Sequence, residues 1–260
     1  MQSVHLLRLS PLLTALLCVR VAGAQQYLDL TYPFDEQTIY WPTSRPFQLD
    51  KVWKGTTEAG FYYEANNYSA AEHGGTHLDA PSHFAPGRWS VDEVPLSSLI
   101  GPAVVVDISA RAAGNPDAVL DPADLLAWQK KHGPLPQGAI LLVRTGWGRF
   151  WPDRKRYLGT DRPGDVAGLR FPGISAEAAQ WIASSGRVRA VGIDTASLDP
   201  GRSKDFRAHV ILYEKNIPGL ENVAHLDRLP PVGATLIALP MKIRGGSGAP
   251  CRIIARLPGK

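Results

Sequence analysis

Cysteine is nearly absent: 260 residues hold two, Cys18 and Cys251. Cys18 falls in an N-terminal segment that reads as a cleaved leader. One thiol would then remain, and stability must come from packing or a metal rather than a disulfide. Cys251 opens the apolar run Cys251-Arg-Ile-Ile-Ala-Arg-Leu257, has no nucleophile motif around it, and reads as a strand residue. Long apolar runs are missing too. The stretch from Leu9 to Val19 falls short of the about 20 residues that a bilayer-crossing helix needs. There is no G-x-S-x-G elbow, since Gly246-Ser247-Gly248 lacks the flanks, which argues against a serine triad. A phosphate-cradling G-x-x-x-x-G-K and an H-E-x-x-H pair are also absent. Charge is almost balanced, 28 basic against 24 acidic residues. The one basic stretch (Arg149, Arg154, Lys155, Arg156, Arg162, Arg170) is broken by proline and glycine. It reads as a solvated loop, not a nucleic-acid surface, which would interleave a denser patch with aromatics.

What is present begins with that leader. His5 and Arg8 precede the apolar run, which ends at Ala22-Gly23-Ala24, the grammar of a secretory signal over residues 1–24. Its removal deletes Arg8 and Arg20 and lowers the formal charge from +4 to +2. The expectation is a secreted, extracellular or periplasmic protein that leaves the membrane after cleavage, with one domain over residues 25–260. A composition 44% hydrophobic and 20% charged supports a sizeable core.

Runs rich in Val, Ile and Leu, bounded by Gly or Pro, predict strands buried on both faces. They are Tyr27–Thr31, Ala103–Ser109, Ala139–Thr145, Ala190–Asp194, Thr235–Leu239 and Arg252–Leu257. Asp121-Pro122 opens a helix that ends in basic residues before Gly133, and Ser175 to Gly186 repeats the pattern. A third helix is expected from Phe206 to Lys215. The pattern reads as a single α/β domain with a mixed β-sheet flanked by helices. Twenty-two prolines and twenty-five glycines imply shaped loops, the usual carriers of chemistry.

The densest set of metal-capable side chains is Glu72-His73-Gly74-Gly75-Thr76-His77-Leu78-Asp79-Ala80-Pro81-Ser82-His83-Phe84. Imidazoles with a carboxylate suit Zn²⁺, Mn²⁺ or Fe²⁺. Gly74, Gly75 and Pro81 argue against a helix. In extended chain, residues 73, 77 and 79 share a face. A straight strand would still part 73 from 77 by about 13 Å, too far for atoms that must lie about 2.1 Å from one ion. The glycine pair lets the backbone curl and close that gap.

The string H-G-G-T-H-L-D-A-P-S-H-F resembles the H-x-G-T-H-x-D-x-P-x-H signature of the cyclase family of metal-dependent hydrolases. That family includes bacterial kynurenine formamidases and isatin hydrolases. The resemblance implies a swivelling β/β/α fold, His73, His77 and Asp79 as ligands, and His83 as catalytic acid/base. It also implies roles for His209 and Glu221, either as ligands that hold a second ion or as site residues beside a single one. Trp41 matches a substrate-contacting aromatic, and Phe84 joins it as a candidate pocket wall. The implied cofactor is a divalent metal, zinc or manganese, one ion or two. The implied reaction is cleavage of a C–N amide, formamide or cyclic imide bond in a small, aryl substrate, by a homodimer. The competing expectation is a secreted, non-catalytic metal- or ligand-binding protein on the same fold. His132 at a helix end and His225 in a loop are assigned no role.

Overall fold

The computed structural model describes residues 26–259; the leader, residues 1–24, lies outside them. An eight-stranded mixed sheet runs in the order Tyr27–Asp29, Gly248–Arg256, Thr235–Pro240, Ile100–Asp107, Ala139–Arg144, Val188–Ile193, Gly219–Glu221, His77–Asp79. The last strand pairs back onto Gly248–Arg256 and closes a ring. The sheet is parallel from Ile100–Asp107 through Gly219–Glu221 and antiparallel elsewhere. Closure gives the ring strands partners on both sides and leaves Tyr27–Asp29 as an outer addition.

The apolar runs are continuous because both faces of the central strands are covered. Val105, Ile140 and Leu142 point to one core with Leu78, Leu220 and Ile253 inside the ring. Their neighbours Val104, Val106, Leu141 and Val143 pack outward against Leu125, Trp128, Ile182 and Leu212 of the helices. Helix Pro122–His132 starts on an Asp121/Asp124 capping box, and Ala176–Ser184 starts on the Ser175 side chain. The third helix spans Arg207–Tyr213. Ser109, expected at a strand end, instead opens a short helical turn over Ser109–Ala112.

The largest element without a counterpart in the sequence reading is the hairpin Gln48–Thr56 with Tyr62–Ser69, which forms its own two-stranded sheet; the basic stretch read as loop also holds a short helix, Arg154–Leu158. Both hairpin strands are largely exposed, and Trp53, Tyr62, Tyr63 and Tyr68 are each half or more open to solvent or close to it. Among the described residues no helix is long and apolar enough to cross a membrane.

Candidate metal centre and active site

The site is built on the short strand His77–Asp79, whose three residues are all buried. Its two antiparallel neighbours set what stands beside each side chain. Glu221 and Pro250 lie opposite His77, and Gly219 and Gly248 lie opposite Asp79. The glycines make room for rings that approach Asp79. A Cβ at Gly219 would meet the Tyr213 hydroxyl at 2.4 Å, and one at Gly248 would meet His73 Cε1 at 2.5 Å.

His73 reaches the same spot by a turn. Gly74 bridges to Tyr40, and Gly75 takes φ +58, the left-handed conformation open to glycine. The backbone therefore curls where the glycine pair predicted, before the strand begins rather than along it. His73 Nδ1 comes 2.7 Å from Asp79 Oδ1, and His77 Nε2 comes 3.1 Å from the same oxygen. On the other flank His77 Nε2 is 3.5 Å from Glu221 Oε2. His209 Nε2 lies 3.0 Å from Glu221 Oε1 and 3.4 Å from Asp79 Oδ2. Ligand-capable atoms fall into two groups that share Asp79: His73, Asp79 and His83, and His77, Asp79 and Glu221.

Each donor is held from behind. His77 Nδ1–H donates to the Gly75 carbonyl at 2.9 Å, which the Asn222 amide also caps at 2.7 Å. The His209 ring faces Asp199 through Nδ1 at 2.5 Å, and Asp199 accepts two backbone N–H groups at the start of the same helix. Glu221 Oε1 accepts the Leu198 N–H, and the Tyr213 hydroxyl donates to Asp79 Oδ2 at 2.9 Å. Such outer partners fix ring orientation in metal sites.

Two carboxylates and two imidazoles in a buried volume, with the half-buried His73 beside them, are costly without a cation. Burial alone would raise Asp79, yet the His73, His209 and His77 rings hold it well below the usual carboxylate range. Glu221 is raised, first by burial and then by the charge of Asp79. His77 Nε2 is buried with no aligned hydrogen-bond partner, although two carboxylate oxygens lie close. A ring nitrogen set between two carboxylates without an aligned partner is what a divalent ion would satisfy, so these residues fit a metal.

His83 follows Pro81 in a short turn and stacks on His73, ring centroids 3.8 Å apart and 17° from parallel. Partial burial pushes it down to about 4 against the pull of Asp79, so its ring is neutral at pH 7. Beside the donors opens a cavity of about 240 Å³ walled by Trp41, Phe84 and Phe206. Trp41 packs edge-on against Phe171 while its exposed side lines the cavity. Phe84 stands 4.7 Å from the His209 ring. Trp89, partly buried, packs against the core inside the ring and does not line the cavity. His132 sits against Trp128 at its helix end, and His225 is exposed.

The structure thus brings His73, His77, Asp79, His83, His209, Glu221, Trp41 and Phe84 around one cavity. Sequence reasoning missed the orienting groups Asp199, Tyr213 and Asn222. Their signal lies in long-range pairing, which no local motif carries.

A His/Asp/Glu donor set with one side open to a cavity is the form of a catalytic metal site; structural sites are closed and rich in cysteine. The comparisons agree: the chain belongs to the cyclase family, whose pattern, described as putative cyclase, matches residues 28–200. It is 35% identical to the isatin hydrolase of Roseibium aggregatum over 208 residues, 76% of this chain and 77% of the relative. It is 32% identical to the kynurenine formamidase of Maricaulis maris, over 83% of this chain and 90% of that one. Isatin hydrolase A from Labrenzia aggregata, solved with benzyl benzoate bound, superposes with a TM-score of 0.81 at 34% identity. That match covers 90% of this chain and 94% of the other.

Proposed function

We propose that the chain hydrolyses the C–N bond of a small aryl amide, formamide or cyclic imide, with an isatin-like ring as first candidate. The observation that carries the reading is the Asp79-centred cluster facing an aromatic cavity. The relatives named above supply the reaction type, and the chain is a hydrolase of amide or imide C–N bonds like them. His73, His77 and Asp79 would hold the ion, with Glu221 and His209 completing the donor set toward the second group. When bound, a divalent metal supplies Lewis acidity and a water of lowered pKa.

The remaining work falls to the chain. Trp41, Phe84 and Phe206 clasp an aryl ring and exclude water. A neutral ring nitrogen of His83 accepts the proton of the attacking water and returns it to the leaving nitrogen. Zinc and manganese are the proposed ions, since mixed imidazole and carboxylate donors suit both. Export is part of the proposal, resting on the leader pattern, and intact-mass measurement of the mature protein tests it by finding a chain that starts at Gln25. Homodimerisation is supported by the hairpin. An isolated two-stranded ribbon is marginal in water, and its exposed Trp53, Tyr62 and Tyr68 need a covering surface.

The deciding assay offers isatin and N-formylkynurenine to purified protein before and after EDTA. Turnover that chelation abolishes and Mn²⁺ or Zn²⁺ restores is expected. Metal uptake without turnover of any amide, imide or lactone would leave a binding protein in its place.

A further inference from the structure

The Gly246-Ser247-Gly248 segment, which makes no nucleophile elbow, lies at the metal centre. Ser247 Oγ is 2.8 Å from His73 Nε2 and 2.7 Å from Glu72 Oε2, and the Ser247 backbone N–H also donates to Glu72 Oε2 at 3.0 Å. Gly248 is sterically required, since its added Cβ would also meet the Leu78 carbonyl at 2.7 Å, and Gly246 leaves little room. A Cβ at Gly246 would lie 2.9 Å from Glu72 Oε1, and one at Gly248 would lie 2.5 Å from His73 Cε1. The segment is delivered by strand register: Gly248 pairs with Asp79, and the Ala80 N–H bonds the Ser247 carbonyl.

Hydrogen counting gives the arrangement a direction. A carboxylate only accepts, and a serine hydroxyl has one hydrogen to give. With that hydrogen on Glu72, Ser247 Oγ can only accept from His73 Nε2–H. The remaining ring nitrogen, Nδ1, faces Asp79 Oδ1 at 2.7 Å, and the lone pair it offers once no proton lies between them is the one directed at the donor cluster. We propose that Glu72 and Ser247 form a relay that fixes the tautomer and orientation of His73, so that Nδ1 is its metal-binding atom.

The other two rings are fixed differently, His77 by a backbone carbonyl and His209 directly by a carboxylate. Only His73 depends on a hydroxyl, contributed 174 residues away in the chain. Glu72 and Ser247 are positioning residues: Glu72 enters neither donor group around Asp79, and Ser247 Oγ is taken up by Glu72 and the far nitrogen of His73.

The inference rests on the proposed metal site, and its test separates the two. Metal affinity is measured by competition with a chromophoric chelator for Ser247→Ala, Glu72→Ala, the double variant and Ser247→Thr. Loss of an outer-shell partner weakens binding by about 10–100-fold. That loss is expected in each alanine variant and no further in the double variant, because the two act in series. Ser247→Thr keeps the hydroxyl and is expected to recover most of the affinity. In Zn²⁺-loaded protein labelled with ¹⁵N-histidine, His73 should carry its proton on Nε2. Wild-type affinity in Ser247→Ala, additive losses in the double variant, or a proton on Nδ1 would each overturn the relay while leaving the metal site standing. A wild-type chain that takes up no ion overturns both.

Discussion

Glu221 stands directly across from His77 in an antiparallel pair, with Oε2 3.5 Å from Nε2. Residues 144 positions apart thus become neighbours through backbone register alone. The pairing depends on Pro218 and Gly219, which end the preceding turn and start the strand. If Glu221 belongs to the donor set, Glu221→Gln should weaken metal binding by about tenfold or more while the fold persists. Unchanged affinity in isothermal titration would place Glu221 outside it.

Asp79 is the hub. Its two oxygens face His73, His77, His209 and Tyr213, and it belongs to both donor groups. Asp79→Ala is therefore expected to empty the centre whether it takes one ion or two. Elemental analysis of the purified variant checks this. Near-stoichiometric metal in Asp79→Ala would refute the assignment.

The strands that proved legible from sequence were those buried on both faces, such as Ala139–Arg144, where hydrophobicity alone marks the element. The hairpin was silent because Gln48–Thr56 and Tyr62–Ser69 bury almost nothing, so no polar–apolar alternation is imposed on them. The motif exposed His73, His77 and Asp79 because one curl of chain holds all three. Asp199 was illegible for a different reason. It acts by accepting the first N–H groups of the His209 helix and facing that ring, and an acid before a proline and a glycine looks like any turn. Ser247 was visible only as a failed motif.

Metal binding should release protons. Burial would keep His77 neutral, but the carboxylates of Asp79 and Glu221 outweigh it and raise the metal-free ring to about 9. An ion entering below that pH must displace the proton. Apparent affinity should therefore tighten by about tenfold per pH unit for each proton released, up to about pH 9. The metal-free fold should respond in the opposite sense. A group whose folded pKa exceeds its ordinary 6.5 stabilises fully below that value and loses its contribution as pH rises through about 9. Calorimetric titration in buffers of different ionisation enthalpy counts the protons. A buffer-independent enthalpy at pH 7 would contradict the prediction.

Gly74→Ala should damage fold and site together. The added Cβ would lie 2.0 Å from Tyr40 Cδ1, and Tyr40 is itself 2% exposed with nowhere to retreat. Overpacking of this kind costs about 1–3 kcal/mol. A lowered melting temperature, with weaker metal binding as His73 shifts, is the expected outcome. A variant as stable as wild type would show that the Tyr40 ring can move.

His83 separates chemistry from binding. Its ring lies flat on His73, partly open to the cavity, and its low pKa of about 4 keeps a nitrogen free to take a proton at neutral pH. The same position brings it within reach of the His73 and Asp79 donor atoms, so geometry alone allows a ligand as well as a base. The two roles predict different variants. A base removed by His83→Ala should lower kcat by about 10²–10⁴-fold and leave metal content and KM nearly unchanged. A ligand removed should instead release the ion, and activity would return in part when excess metal is added. Parallel measurement of kcat and bound metal decides it, and we expect an inactive variant that keeps its ion.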